Sequence, residues 1–121
     1  MSQVESYRDL VVWQRAMTLI EEVYKLSDTF PKREQFGITS QVRRACISIA
    51  ANIAEGHSRR TRKDYAHFVS MARGSLAEVE TYLILAGRLK LASRDDLTPL
   101  WHLAEEVSKM LTALHHRLIT E

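Results

Sequence analysis

Apolar side chains recur along most of the chain at three- and four-residue intervals, the spacing that lines one face of an α-helix. Leu10, Trp13, Met17, Ile20, Tyr24 and Ser27, joined by Ala16 and Val23, outline a first helix over about residues 9–27. Asp28, Pro31 and Gly37 then interrupt the pattern. Ile38, Val42, Ala45, Cys46, Ile49 and Ile53 resume it over about residues 39–56, with Thr39 placed to cap the helix and Gly56 to stop it. Tyr65, Phe68, Ala72, Ser75, Val79, Tyr82, Ala86 and Leu89, widened by Val69, Leu76 and Leu83, predict a third helix over residues 62–90, opened by the capping pair Thr61 and Asp64. At about 1.5 Å per residue it would be about 43 Å long. Leu100, Leu103, Val107, Met110 or Leu111, Leu114 and Leu118 carry a fourth over residues 98–118. Its start is contested, because a capping signal lies at Ser93 to Leu97 while Pro99 favours a first turn.

Short links between long helices make successive helices antiparallel, so the pattern predicts an all-α, up-down-up-down four-helix bundle in a single domain, residues 1–121. A hinge near residues 57–60 sets Gly74 at the level of Arg44 and Ala45. Glycine inside a helix costs about 1 kcal/mol relative to alanine, and a close helix approach opposite Ala45 would account for it.

Composition sharpens this picture. A chain of 121 residues supports one core, and four Gly and two Pro are too few turn formers for a sandwich or barrel. Cys46 is the sole cysteine and lies in an apolar stretch, which excludes an intrachain disulfide and suits a reducing compartment. The start, Met1-Ser2-Gln3-Val4-Glu5, carries no export signal, and no window has the apolar length of a membrane span. A cytoplasmic protein without membrane association is the expectation.

The formal net charge is only +2, yet it is unevenly distributed: residues 32–73 carry nine basic and three acidic side chains, net +6, between flanks of net −2 each. The densest part is His57-Ser58-Arg59-Arg60-Thr61-Arg62-Lys63, at the hinge between the second and third helices. Guanidinium forks, an ammonium, hydroxyl donors and the free amides of a helix start are what phosphate recognition requires. Arg59, Arg60, Arg62 and Lys63 are therefore candidate nucleic-acid contacts, against the plainer reading of a solvated loop. Helix-turn-helix spacing, zinc ligands and aromatic sheet motifs are missing, so recognition would be of backbone or shape.

Catalysis has little support. A di-iron bundle needs two Glu-x-x-His pairs, and Asp64-x-x-His67 stands alone; His102 and Glu106 suit a hydrogen-bonded pair better than a metal site. Phosphate-binding loops, dinucleotide fingerprints and nucleophile elbows are absent. The expectation is a non-enzymatic protein without metal or cofactor.

Four blocks identify a resemblance: Tyr7-Arg8-Asp9-Leu10-Val11-Val12-Trp13-Gln14, Thr39-Ser40-Gln41-Val42-Arg43-Arg44-Ala45, Ser48-Ile49-Ala50-Ala51-Asn52-Ile53-Ala54-Glu55-Gly56 and Ala72-Arg73-Gly74-Ser75-Leu76-Ala77-Glu78. In order and spacing they resemble the bacterial four-helix-bundle family named for proteins encoded within 23S ribosomal RNA intervening sequences. They are also similar to the accessory variability protein of diversity-generating retroelements, a basic bundle that works beside a reverse transcriptase. The resemblance implies a homopentameric barrel of bundles with a nucleic-acid role, RNA or DNA. The family usually has proline where this chain has Ala50, so the second helix should be straighter here. Within the shared blocks, Arg43 joins the candidate contacts. Gln41, Arg44, Asn52, Glu55, Arg73, Gly74 and Glu78 are read as structural or interface residues that fix helix register or subunit packing. Adjacent Arg43 and Arg44 diverge by about 100°, so at most one faces a bundle neighbour. Trp13, Tyr24, Phe30, Phe36 and Trp101 exceed what one narrow seam covers, which favours self-assembly or an accessory role beside an acidic protein partner.

Overall fold

Capping chemistry sets most of the helix boundaries in the computed structural model, which describes residues 4–120. The described residues form α1 (Val11–Ser27), α2 (Ile38–His57), α3 (Arg62–Arg88) and α4 (Arg94–Thr120), with short 3-10 turns at Tyr7–Asp9 and Lys32–Glu34. The first turn is closed by a reciprocal box, in which the Ser6 hydroxyl accepts from the Arg8 amide and the Asp9 carboxylate accepts from the Ser6 amide. That local structure delays α1 to Val11.

Thr39 does not cap α2. The helix already begins at Ile38, after Gly37, and Thr39 is buried inside its first turn. Gly56 does not stop α2 either, since the helix continues to His57 and Ser58 closes it. Thr61 caps α3 as expected, accepting from the Asp64 amide at 3.1 Å. At the other end, the Leu91 amide reaches the Ala86 carbonyl and the Lys90 amide the Gly87 carbonyl, with Lys90 in the left-handed region at φ 59°.

The start of α4 lies four residues before the expected one, because Ser93 and Asp96 cap reciprocally: the Asp96 amide donates to the Ser93 hydroxyl and the Ser93 amide to the Asp96 carboxylate. Pro99 falls in the second turn and removes one amide donor on an exposed stretch. Thr98 is no cap; its hydroxyl donates to the Arg94 carbonyl at 2.8 Å.

The helices pack as a four-sided bundle in which α1 touches α2 and α4, and α3 touches the same two. Leu19, Val23, Ile49, Ile53, Val69, Val79, Val107 and Leu111 fill its centre with almost no exposure. Each such side chain contributes about 1.5–3 kcal/mol through burial. Cys46 sits among them, and burial pushes its thiol up to about 12, so it is a protonated core group. The α2–α3 contact is the most extensive, and α2 runs without interruption through the buried Ala50.

The close approach expected at Gly74 is not there. Ala72, Leu76 and Val79 turn inward, which rotates residue 74 outward, and a Cβ added to it would meet nothing within 4 Å. The register differs as well: Ser75 meets Ser48, so residue 74 stands about one turn further along α2 than Arg44 and Ala45. Contact is tight instead at Gly56, where a Cβ would lie 2.9 Å from the Phe68 Cβ and 3.0 Å from the Tyr65 ring. The two glycines should therefore respond oppositely to alanine in thermal unfolding. Gly56→Ala destabilises by about 1–3 kcal/mol through overpacking, and Gly74→Ala stabilises by about 0.5–1 kcal/mol through helix propensity; equal signs would contradict the packing described.

Candidate nucleic-acid interface

Antiparallel topology collects the C-termini of α2 and α4 and the N-termini of α1 and α3 at one end of the bundle. The hinge Ser58–Thr61 lies at that end, so its basic residues project beside the last turns of α4. The four hinge cations have different employment. Arg59 pairs with Glu55 at 2.6 Å and lays its guanidinium over the Phe68 ring, 4.6 Å from the centroid. Arg62 donates to the Arg117 carbonyl at 2.7 Å and so ties the start of α3 to the last turns of α4. Arg60 and Lys63 are exposed and, among the described residues, make no hydrogen bond or ion pair.

Lys63 opens onto a groove of about 400 Å³ between α3 and α4, lined also by Ala66, His67, Ser70, His115 and Ile119. Arg117 lies close enough to the Tyr65 phenol to oppose, in part, the upward shift that burial imposes on it. His57 meets the same ring edge-on at 5.9 Å. The fold thus adds His67, His115 and Arg117 to a cluster that the sequence showed only as a run from His57 to Lys63. The signal that would have found them is topological: α3 and α4 are antiparallel, so the start of one faces the end of the other. His115 and His116 diverge around α4, His116 lining with Arg117 a separate apolar groove against α1. Asp64 is the only acidic residue in the first turn of α3.

Arg43 is not brought to this cluster. Its guanidinium donates to the Ser27 hydroxyl at 2.7 Å and to the Asp28 carboxylate at 2.8 Å, and stacks on the Tyr24 ring at 4.5 Å. It clasps the N-terminal half of α2 to the end of α1, at the opposite end of the molecule. Arg44 faces solvent as the 100° divergence requires, with Gln41 at 3.5 Å. Together Gln41, Arg44 and Glu78 line a small polar cleft of about 140 Å³ with Ser48 and Ser75.

The expected cross-helix bonds of Asn52, Glu55, Arg73 and Glu78 take another form. Asn52 bonds within α2, to the Ser48 carbonyl and hydroxyl, and Glu55 is held by Arg59. Arg73, Gly74 and Glu78 are exposed. The polar link between α2 and α3 is instead Ser75 to Ser48, at 2.9 Å, two residues that sequence reasoning had not placed in the site. Glu106 does not bond His102; it takes the Arg15 guanidinium, at 2.8 and 3.2 Å. Among the described residues no three metal-ligating side chains cluster, and no helix is long and apolar enough to cross a membrane.

These placements separate fold from surface. Arg43→Ala removes charge-assisted bonds and should cost about 1–2 kcal/mol, read as a lowered melting temperature. Arg60→Ala should stay within about 0.5 kcal/mol of the parent. A stable Arg43 variant beside a destabilised Arg60 variant would reverse the assignment.

Comparison with known proteins follows the same outline. The sequence profile of the family described as 23S rRNA-intervening sequence protein matches residues 8–113. A crystal structure of a protein of unknown function from Bacteroides thetaiotaomicron, of the S23 ribosomal protein family, superposes with a TM-score of 0.81 at 23% identity. The match covers 87% of this chain and 98% of that one, and at that identity it speaks for the fold alone. No curated protein matches the chain.

Proposed function

The chain belongs to the 23S rRNA-intervening sequence protein family, and from that premise we propose that it is a non-enzymatic, oligomeric protein that binds nucleic acid through the phosphate backbone at the hinge end of the bundle. The observation that carries this reading is the grouping of exposed Arg60 at the turn with Lys63 and His67 in the first turns of α3, with His115 of α4 across the groove, around the N-terminus of α3. The free amides of that terminus and its dipole favour an anion. Arg60 offers a planar fork for two phosphate oxygens, and Lys63 a mobile point charge. Neither is occupied by another described side chain, so neither has to break an internal bond to reach a ligand.

Arg59 and Arg62 play the supporting part. Stacked on Phe68 and bonded to the end of α4, they hold the hinge in the shape that presents Arg60. Nothing in the cluster resembles a base-reading surface, so affinity should follow charge rather than sequence. One copy offers few contacts. A homopentamer, as the family resemblance implies, would set five such ends on one rim and convert weak sites into avidity.

Light scattering should give a mass of about five times the 13.9 kDa of one chain, and a monomer would sink the pentamer. Fluorescence anisotropy with a single-stranded RNA or DNA oligonucleotide should show affinity that falls steeply with salt. Arg60→Ala with Lys63→Ala should weaken binding at least about tenfold and reduce the log–log salt slope by about 1.4 per engaged copy. Salt-independent binding, or a double variant that binds like the parent, would refute the proposal.

A further inference from the structure

A groove of about 620 Å³ opens between the last turns of α3 and the first turns of α4, at the end of the bundle opposite the hinge. That size is within the range of small-molecule sites. Its floor and wall are apolar: Leu83 is buried, Leu97 and Trp101 are half-buried against the core, and Ile84 is exposed. Over them stand two cations, Arg88 in the last turn of α3 and Arg94 at the first residue of α4. Among the described residues neither arginine makes a hydrogen bond or an ion pair. The Trp101 indole N–H also has no acceptor, and it reaches solvent, since no buried side-chain nitrogen or oxygen lacks a partner.

No carboxylate lines the groove. Asp96 is held by the Ser93 amide as part of the cap, and Asp95 lies on the exposed side of the first turn of α4. Glu80 and Glu105 stand one helical turn from Ile84 and Trp101, towards the middle of the bundle. Burial, with the Glu105 charge beside it, pushes the Glu80 carboxyl above its usual range. The groove is therefore a donor-rich, cationic hollow whose acidic neighbours lie beyond its inner end. A cleft lined by charge of one sign focuses a field, here one that attracts anions.

We propose that this groove binds a small organic anion with a flat apolar body, of the aromatic carboxylate class. The body packs on Leu83, Ile84 and Leu97 and stacks on the Trp101 ring. The carboxylate turns outward to Arg88 and Arg94, whose planar forks match its two oxygens, and away from Glu80 and Glu105. Each side of the ligand answers a feature that the fold leaves unpaired. A sugar-phosphate backbone brings charge without an apolar face, so this site is distinct from the hinge surface and does not depend on it.

Amide and indole chemical-shift titration of the full chain with 2-naphthoate tests the site, with 2-naphthamide as the neutral analogue of the same shape. Naphthoate should shift residues 83–102 and the Trp101 indole resonance saturably, and leave the indole of Trp13, at the hinge end, in place. The carboxamide should bind at least about tenfold more weakly, as should naphthoate to Arg88→Ala with Arg94→Ala. That variant should keep the parent's melting temperature, since both side chains are exposed and unpaired. Ile84→Glu, which sets a carboxylate on the exposed wall, should also weaken binding at least about tenfold. Absence of saturable shifts, equal affinity for the carboxamide, either variant binding like the parent, or equal movement of both indoles would each overturn the proposal. Displacement of naphthoate by a single-stranded oligonucleotide would overturn it too, by assigning the groove to nucleic acid. Naphthoate binding by a chain that binds no oligonucleotide would support this site and remove only the hinge reading.

Discussion

The close meeting of α2 and α3 at Gly56 governs what the rest of the molecule can do. A methyl group there would lie 2.9 Å from the Phe68 Cβ and 3.3 Å from the Tyr65 carbonyl oxygen, so hydrogen is the only substituent that leaves the two helices in place. Because that contact sits one turn before the chain reverses, the connection can be short. Ser58 ends one helix and Thr61 starts the next. The shortness of the turn concentrates charge: Arg60 is left at its apex, Lys63 in the first turn of α3, and Arg59 is folded back over Phe68. Packing in the core and exposure at the tip are two consequences of one glycine.

Electrostatics divides along the same line. The arginines that bond other parts of the chain do so at helix ends: Arg43 on the end of α1, Arg62 on the end of α4, and Arg59 over the hinge. Arg15 instead braces α1 against α4 through Glu106 at mid-height. The exposed pairs among these, Arg59 with Glu55 and Arg15 with Glu106, contribute about 0–1 kcal/mol each, and their value lies more in fixing geometry than in stability. The basic excess of the middle third is therefore partly consumed inside the molecule. What remains outward is smaller than the sequence count and better placed, since α4 brings Arg117 and His115 to it.

Residue spacing made the four helices legible, because inward positions such as Leu19, Ile49, Val79 and Val107 follow the helical period closely. The misplaced features turn on phase and on competition between local signals. Thr39 and Gly74 were each assigned a role by position along the helix, and rotation about its axis puts one in the core and the other in solvent. At α4 the Ser93 and Asp96 box outweighed the helix-breaking tendency of Pro99, since proline near a helix start costs only one internal bond. The hinge cluster was visible as a run of neighbours. Its completion by His67, His115 and Arg117, and the clasp of Arg43 on Ser27 and Asp28, depend on contacts across the fold that no local pattern encodes.

The central claim is that the hinge end of the bundle is the surface that meets nucleic acid. Amide chemical-shift mapping during titration with a short single-stranded oligonucleotide tests it most directly. Perturbations should concentrate in residues 58–67 and 113–118, and residues 30–38 and 90–102 should remain still. Perturbation centred on the opposite end, or spread evenly over all four helices, would contradict the account.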